Sequence, residues 1–230
     1  MKAKFSDFVM CVGVLGLIIA IVWLIVGVGF VPFSRIWFGD YHAVVDILLF
    51  MLAYGIVSGL TLQLLLKIKP LPCGEFSMDS PVFTYWKLLS VIHLLAQEVM
   101  IPFTSIFTKP LVWRLFGAKV GSDVALGGAV GEPFMVTIGD GAVLGFGSVI
   151  AGSVIADGKI ILGEVRIGAG ATLGVYSVAM GSIDIGDNAK IVGGSVLVPG
   201  SAIPAGEVWR GNPARKWISP GAPKASSAAD

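Results

Sequence analysis

The chain is poor in charged residues, and this scarcity excludes an ordinary soluble domain. Only 13% of its 230 residues are charged, whereas 55% are hydrophobic and the mean hydropathy is +0.87. Typical soluble domains carry roughly 25% charged residues. The net charge of +1 and the pI near 7.7 give no electrostatic case for nucleic-acid binding. We therefore expect membrane lipids as partners and no nucleic acid.

Cysteine and histidine are also scarce. Cys11 and Cys73 lie in different segments and form neither a disulfide framework nor a metal-binding motif. His42 and His93 are too few for a zinc enzyme of the carbonic-anhydrase type, which needs several histidine ligands. The sequence thus predicts no metal site.

The hydrophobic excess is concentrated near the amino terminus. Residues 8–30 contain no charge, and residues 43–66 contain only Asp46, which we read as interfacial. Each run is long enough to span a bilayer, so residues 1–68 are predicted to form a two-helix transmembrane hairpin. The first run is too long for the apolar region of a signal peptide, and we expect it to be retained.

Basic residues predict the orientation of this hairpin. Lys2 and Lys4 precede the first run, Lys67 and Lys69 follow the second, and only Arg35 lies between them. The positive-inside rule then places both termini in the cytoplasm. The sequence therefore predicts a multi-pass protein of a bacterial-type inner (plasma) membrane, with the remainder of the chain cytoplasmic.

A six-residue period extends from residue 120 to residue 209. Aliphatic residues occupy most unit starts, Gly often follows, and a small or apolar residue usually comes four positions later. Such hexads predict a parallel β-helix with three faces and eighteen residues per coil, hence about five coils and a height of roughly 24 Å, over residues 117–217. A tail at 218–230 is predicted to be disordered. One shortened unit separates Ile150 from Ile155, and the unit starts are Val120, Leu126, Glu132, Ile138, Leu144, Ile150, Ile155, Ile161, Ile167, Leu173, Ala179, Ile185, Ile191, Leu197, Ile203 and Trp209.

Residues 69–116 connect the hairpin to the hexads. A Pro/Gly/Ser-rich loop at 70–81 precedes an apolar helix that we expect to begin at about Tyr85 and to end before Pro102. Ser90, His93 and Gln97 fall three and four residues apart and so share one helical face. This amphipathic connector is predicted to lie at the membrane interface.

Two motifs carry a resemblance to a known family. The segment VWRGNPARKW at 208–217, which closes the array, resembles the carboxyl end of left-handed β-helix (hexapeptide-repeat) acyltransferases. The wider pattern adds Gly74, Tyr85-Trp86-Lys87, LFGAKVG at 115–121 and EPFMVTIGD at 132–140. It is similar to the membrane-embedded hexapeptide domain at the end of poly-lysine-synthetase-type peptide synthetases.

The resemblance implies a left-handed coil and a homotrimer with active sites in the grooves between prisms. It also implies a thioester donor, most often acetyl-CoA, whose pantetheine arm lies along the prism with its phosphates near the carboxyl end. Arg210, Arg215 and Lys216 suit the phosphates, because guanidinium and ammonium groups bind phosphate oxygens. The alternative reading of these three residues is a solvated basic end. The implied donor-binding residues are Gly193, Gly194, Ser195, Arg210, Gly211, Asn212, Pro213, Ala214, Arg215 and Lys216.

The array departs from the family because it contains no histidine to serve as general base. His93 is the better of the two candidates for this role, because it lies in the connector helix where the membrane hairpin meets the first coils, whereas His42 lies in the loop between the two apolar runs, predicted to be extracytoplasmic. A histidine suits the role because imidazole titrates near neutral pH. The alternative for His93 is a polar residue satisfied by Gln97 or a backbone carbonyl. Glu132 stands at a unit start, where most other units have an aliphatic residue that points inward. Because a buried carboxylate is costly, either the chain loops out at Pro133 or the carboxylate has a partner. Glu132 is then a second candidate base, or would orient His93. Tyr176 is an acceptor-binding candidate, or a surface aromatic.

The sequence therefore predicts an integral-membrane acyltransferase. It would move an acyl group, in the first instance acetyl, from CoA to a hydroxyl or amine of a membrane-associated or lipid-linked acceptor, by a general-base mechanism at the trimer interface near the membrane. One alternative is an amide-forming transferase that takes an aminoacyl or acyl phosphopantetheine thioester from a carrier protein. Another is a catalytically inert trimeric membrane scaffold.

Overall fold

The computed structural model describes residues 5–105 and 107–218, except for the side chain of Ser6. Lys2, Lys4 and most of the tail predicted to be disordered lie outside the described residues. The helices are α1 Phe5–Val22, continued by the π-helical segment Trp23–Val28, α2 Val31–Phe38, α3 His42–Ile68, α4 Pro81–Val99 and α5 Lys109–Leu115. Short 3-10 turns occupy Gly39–Tyr41, Ile101–Phe103 and Pro133–Met135. The connection between the two apolar runs, predicted to be a loop, is therefore largely helical.

Two stretches are long and apolar enough to cross a membrane. Asp7–Val28 has 22 residues and a hydropathy of 3.0, and Val31–Ile68 has 38 residues and a hydropathy of 2.2. Only 17% and 22% of their most apolar windows are buried within the protein. Most of these apolar side chains therefore face outward, unlike those of a core helix in a soluble protein.

Helix α4 packs antiparallel along the carboxyl-terminal half of α3. Near its start, Tyr85 Oη donates to the carbonyls of Leu65 and Lys69 at 2.9 Å each. Beyond its end, Met100 packs so closely on Gly55 that a Cβ there would lie 2.0 Å from the Met100 sulfur. The helix begins at Pro81, not at about Tyr85, because Ser80 caps it by accepting a bond from the Phe83 amide. It is thus an integral part of the helical layer, not an isolated surface helix.

Within the described residues, eighteen strands complete the fold, and all but four of them are two or three residues long. They are β1 Gly74–Ser77, β2 Lys119–Val120, β3 Ala125–Leu126, β4 Ala129–Val130, β5 Val136–Ile138, β6 Val143–Leu144, β7 Val149–Ala151, β8 Ser153–Ala156, β9 Lys159–Leu162, β10 Val165–Ile167, β11 Thr172–Leu173, β12 Val178–Met180, β13 Ile183–Ile185, β14 Lys190–Ile191, β15 Val196–Leu197, β16 Ala202–Ile203, β17 Val208–Gly211 and β18 Ala214–Lys216.

The strands form a three-sided parallel β-helix, which confirms the fold predicted from the hexads. The first face contains β2, β5, β10, β13 and β16, the second contains β3, β6, β11, β14 and β17, and the third contains β4, β7, β12 and β15. Five strands on a face correspond to the five predicted coils. On the first face the paired residues Val120, Ile138, Ile167, Ile185 and Ile203 are all buried. One inward aliphatic residue per strand thus fills the prism.

Three predicted unit starts are wrong. Val130, not Glu132, fills the prism opposite Ile150, because only Gly127-Gly128 separate β3 from β4. Glu132 instead begins the turn Pro133–Met135, through which the chain leaves the coil. Ile155 and Ile161 do not begin coil strands: they belong to an inserted antiparallel hairpin, β8–β9, to which β1 adds a third strand. Ile155 is 48% exposed in this hairpin. The expected shortened unit is therefore an insertion at the corner between the third and first faces.

Candidate functional site

The turn that follows β4 places Glu132 against α4. Its Oε1 accepts hydrogen bonds from Trp86 Nε1 at 3.2 Å and from Ser153 Oγ at 2.6 Å. The residue is 5% exposed, and Oε2 has no hydrogen-bond partner among the described residues. One carboxylate oxygen is therefore fixed by two donors, while the other remains available to accept a proton or a donor group.

His93 lies in the same seam between α4 and the first coil. It is fully buried, with its ring edge-to-face against Phe116 at a centroid distance of 5.1 Å. Burial lowers the pKa of His93 from 6.5 to about 4, and the carbonyl of Gly131 opposes this effect only in part. Neither ring nitrogen forms a hydrogen bond of ordinary geometry with the described residues. The imidazole is consequently neutral at pH 7.

Unsatisfied polar atoms accumulate along this face of α4. The hydroxyl of Ser90, both ring nitrogens of His93 and Oε2 of Glu132 are buried without hydrogen-bond partners in the described part of the chain. Such atoms are uncommon in folded proteins and call for a local explanation, such as a bound water or ligand or a functional role. The seam formed by Ser90, His93 and Glu132 is thus the leading candidate for a reaction centre. Gln97 forms no hydrogen bond with either ring nitrogen of His93, so it does not satisfy the imidazole as one alternative supposed.

Phe134, in the same turn, borders clefts whose linings do not include Glu132. It lines three adjoining clefts of about 650, 220 and 50 Å³. The largest runs between α3 and the first coil and includes Lys67 and Arg114, but Arg114 already donates to the carbonyls of Val120 and Gly121. The largest cleft therefore borders the Glu132 turn without containing Glu132 itself.

Tyr176 lies elsewhere, at the corner between the second and third faces. It is 63% exposed, and its backbone has φ +54, an unusual value for a residue with a side chain. Its ring covers Gly147, where a Cβ would lie 2.5 Å from the ring, and meets Phe146 edge-to-face at 5.9 Å. Phe146 and Tyr176 thus form an exposed aromatic ridge one coil apart.

Gly193, Gly194 and Ser195 continue this corner one coil further on. Gly194 has φ +69 and a Cβ there would meet nothing within 4 Å, so its outer side is open to a ligand. Gly193 is packed more tightly, since a Cβ there would lie 3.1 Å from the Val175 side chain, which would have to shift. Ser195 is buried, and its hydroxyl donates to the Val192 carbonyl and accepts from the Gly211 amide. The Ser195 hydroxyl therefore stabilises the β-helix, although the Ser195 backbone lies beside the open corner.

The carboxyl-terminal motif forms the hairpin β17–β18, closed by a cis peptide bond between Asn212 and Pro213. Arg210 and Arg215 lie directly opposite each other in its register, and both are exposed. Opposed like charges destabilise a strand pair unless an anion compensates them. Lys216 points to the other face and pairs with Glu207, whose pKa is lowered mainly by that bond. Of the three predicted phosphate ligands, Arg210 and Arg215 therefore form a pair, and Lys216 is already neutralised.

The predicted residues thus divide into two groups at different corners of the prism. Glu132 and His93 share the corner between the third and first faces with the inserted hairpin. Tyr176, the Gly193–Ser195 segment and the carboxyl-terminal hairpin follow the corner between the second and third faces. Sequence reasoning missed Trp86, Ser153 and Phe134 as site residues, although Trp86 and Phe134 belong to motifs that carried the resemblance.

No family model matches the chain. Over 161 residues, or 70% of the chain, it is 22% identical to the delta-poly-L-ornithine synthetase of Acinetobacter baumannii. The match spans only 12% of the length of that relative. This similarity agrees with the resemblance to poly-lysine-synthetase-type peptide synthetases.

Two solved structures illustrate the similarity of fold. A maltose O-acetyltransferase from Clostridium difficile is 19% identical with a TM-score of 0.44, and the match covers 64% of this chain and 92% of that one. A hexapeptide-repeat acetyltransferase from Vibrio cholerae, solved with acetyl coenzyme A, is 14% identical with a TM-score of 0.48, covering 62% and 91%. At these values neither structure assigns a substrate or a site residue to this chain.

Proposed function

We propose that this protein is a membrane-anchored acyltransferase of the left-handed hexapeptide-repeat β-helix class. The observation that carries the proposal is the buried seam of Ser90, His93 and Glu132, in which a carboxylate has one fixed and one unpartnered oxygen beside the helical layer. A β-helix that served only as a scaffold would have no need for such a cluster at the junction with its helices.

The donor in this proposal is acetyl-CoA, held at the corner that runs from Tyr176 to the carboxyl-terminal hairpin. Arg210 and Arg215 bind its phosphates, because paired guanidinium groups match phosphate oxygens in geometry and charge. Gly211, Asn212, Pro213 and Ala214 form the turn that positions the two arginines. The open side of Gly194 lets the pantetheine arm lie against the backbone, and the aromatic ridge borders its path.

Glu132 is the general base. The acceptor hydroxyl or amine attacks the thioester carbonyl carbon, its proton passes to Oε2 of Glu132, the carbon–sulfur bond breaks, and the proton leaves with the CoA thiolate as a thiol. Trp86 and Ser153 hold Oε1 and so fix the direction of Oε2. Burial lowers the pKa of His93 to about 4, so His93 is a weaker base than an ordinary imidazole, and it supports the turn beside Gly131.

The two groups of site residues, one at each corner of the prism, meet across a trimer interface. Within one protomer they lie on different corners of the prism, so the donor corner of one copy must face the Glu132 corner of a neighbour for acyl transfer to occur. Three-fold closure would create three equivalent sites of this kind. The trimer is thus part of the catalytic proposal.

The helical layer anchors the enzyme with its β-helix and both termini in the cytoplasm of a bacterial-type inner membrane. The low burial of the two apolar stretches supports the anchor, and Lys67 and Lys69 at the end of α3 support the orientation. The domain division is the predicted one, with the anchor at 1–68, the connector at 69–116, the β-helix at 117–217 and the tail at 218–230. An anchor of this kind fits an acceptor that is itself membrane-associated.

Binding of acetyl-CoA to the purified protein tests the donor assignment. We expect Arg215→Ala to weaken binding about tenfold or more, because a charge-assisted phosphate contact is lost. Lys216→Ala is the matched control, since the neighbouring cation faces the other side and pairs with Glu207. If acetyl-CoA shows no saturable binding while a phosphopantetheinylated carrier protein does, the donor is a carrier thioester and the product an amide. If neither donor binds, the protein is a catalytically inert scaffold and the proposal is wrong.

A further inference from the structure

A cleft of about 510 Å³ separates α1 from α4, and the proposed reaction leaves it unused. Its side walls are apolar, formed on α1 by Phe8, Cys11, Val12 and Leu15 and on α4 by Val91 and Leu94. The volume lies within the range of roughly 300–1,000 Å³ usual for small-molecule sites. Because the residues from Asp7 to Leu15 are helical, the cleft extends for roughly 12 Å along α1.

The apolar walls continue into the outward surface of the anchor. Phe8 and Val12 are 65% and 51% exposed, and Leu94 is 52% exposed, although all three also line the cleft. In a membrane-spanning α1 these side chains border the hydrocarbon region. A hydrocarbon chain can therefore pass sideways from the bilayer into the cleft without crossing a polar barrier.

One end of the cleft is charged, and the charges are already paired. Asp7 and Lys87 form an ion pair there, and Thr84 Oγ1 donates to Asp7 Oδ1 at 3.1 Å. Both side chains are largely buried, at 9% and 17% exposure. A carboxylate beside an ammonium group complements a zwitterionic head group, which carries an amine and a phosphate.

The floor of the cleft connects it to the proposed reaction centre. Trp86 lines the cleft and also donates its indole N–H to Glu132. Ser90 lines the cleft as well, and its hydroxyl is buried without a partner among the described residues. A ligand held here would thus be separated from Glu132 by a single indole ring.

The geometry points to this α1–α4 cleft as the binding site for the acceptor: an amino-headed zwitterionic lipid whose hydrocarbon chain lies between α1 and α4. The head group lies at Asp7 and Lys87, next to Trp86, the residue that separates this cleft from Glu132. This inference rests on the proposed function for the acceptor's role, but lipid binding itself is independent of turnover.

Photolabelling of the full-length protein tests the site. The protein is placed in phosphatidylcholine nanodiscs that contain a small fraction of phosphatidylethanolamine with a diazirine on one acyl chain. We expect adducts on the cleft residues of α1 and α4, reduced by excess unlabelled phosphatidylethanolamine. Leu94→Trp should lower the yield about tenfold by filling the cleft. Leu95→Trp, which alters a neighbouring exposed leucine outside the cleft lining, should leave the yield unchanged.

Equal labelling of the two tryptophan variants would overturn the inference. So would adducts spread over α2 and α3 without competition, because that pattern reports surrounding bilayer lipid only. Thermal unfolding of both variants in detergent shows that each remains folded. Specific labelling of a protein that transfers no acyl group would refute the proposed function alone, whereas transfer without specific labelling would refute the cleft alone.

Discussion

The indole N–H of Trp86 donates to Glu132 across the junction between α4 and the first coil, at 3.2 Å. This contact joins a residue of the helical layer to a turn at which the β-helix leaves the hexad pattern. The helical layer thereby fixes the direction of a carboxylate that would otherwise sit on a free loop. The helical layer and the β-helix are thus coupled at the proposed reaction centre.

Glu132→Gln should abolish acyl transfer while the protein stays folded. The amide keeps the size of the carboxylate and can still accept from Trp86 and Ser153, but it cannot take a proton. General-base catalysis contributes roughly 10² to 10⁴-fold, so a loss of kcat in that range is expected. Glu98→Gln, at an exposed carboxylate on α4, is the control. Wild-type turnover in Glu132→Gln would remove Glu132 from the mechanism.

Trp86→Phe should lower kcat through positioning alone. The variant retains an aromatic ring to stack on Phe83, which lies 5.6 Å away, and loses only the N–H donor to Glu132. A hydrogen bond to a charged group contributes about 1.5–3 kcal/mol, so about tenfold or more in rate is expected. The KM for acetyl-CoA should not change, because the donor corner is untouched. An increase in KM with constant kcat would contradict the positioning role.

Much of the β-helix was predictable, because a narrow prism needs one inward aliphatic residue every six positions and tolerates few exceptions. The predicted register of the hexads is wrong where the chain leaves the prism. Val130 replaced Glu132 because the corner between β3 and β4 is only two residues long, Gly127-Gly128, and a strict period cannot register that change. A local signal for the inserted hairpin was nevertheless present: Asp157-Gly158, both with positive φ, is a favoured two-residue hairpin turn.

The candidate site was only partly predictable, because its contacts join residues far apart in sequence. From the sequence, Glu132 was identified as a carboxylate in an aliphatic position and His93 as a histidine outside the array. In the structure both lie in one seam. The donors to Glu132 come from α4 and from the inserted hairpin, so no local spacing indicated Trp86 or Ser153. The division of the site between two corners also depends on the three-sided closure of the coil.

The inserted hairpin provides a direct stability test. Ile160→Ala should destabilise the protein by about 2–4 kcal/mol, since Ile160 is fully buried against Phe83, Met135 and Leu162. Ile155→Ala should cost less than about 1 kcal/mol, because that residue is 48% exposed. Chemical unfolding in detergent measures both. The reverse order would restore Ile155 as an inward hexad residue.

His93 should make stability depend on pH below neutrality. Its pKa is lowered from 6.5 to about 4 by burial, so the unfolded chain binds a proton that the folded chain excludes. The stabilisation is fully present above pH 6.5 and is lost as the pH falls toward 4, by up to about 3 kcal/mol. His93→Leu should flatten this part of the profile relative to wild type. If His93→Leu instead keeps the profile but loses all turnover, His93 is the base after all.

Mixing two inactive variants tests whether the site is shared between protomers. Glu132→Gln lacks the base but has an intact donor corner, whereas Arg210→Ala/Arg215→Ala has the base but binds the donor poorly. In co-expressed trimers, an active site forms wherever the donor corner of the first variant faces the Glu132 of the second. With random assembly, about a quarter of the sites have this composition. About a quarter of the wild-type activity should therefore return. If both groups acted within one protomer, every site in the mixed trimers would carry one defect, and activity would stay at the level of the separate variants.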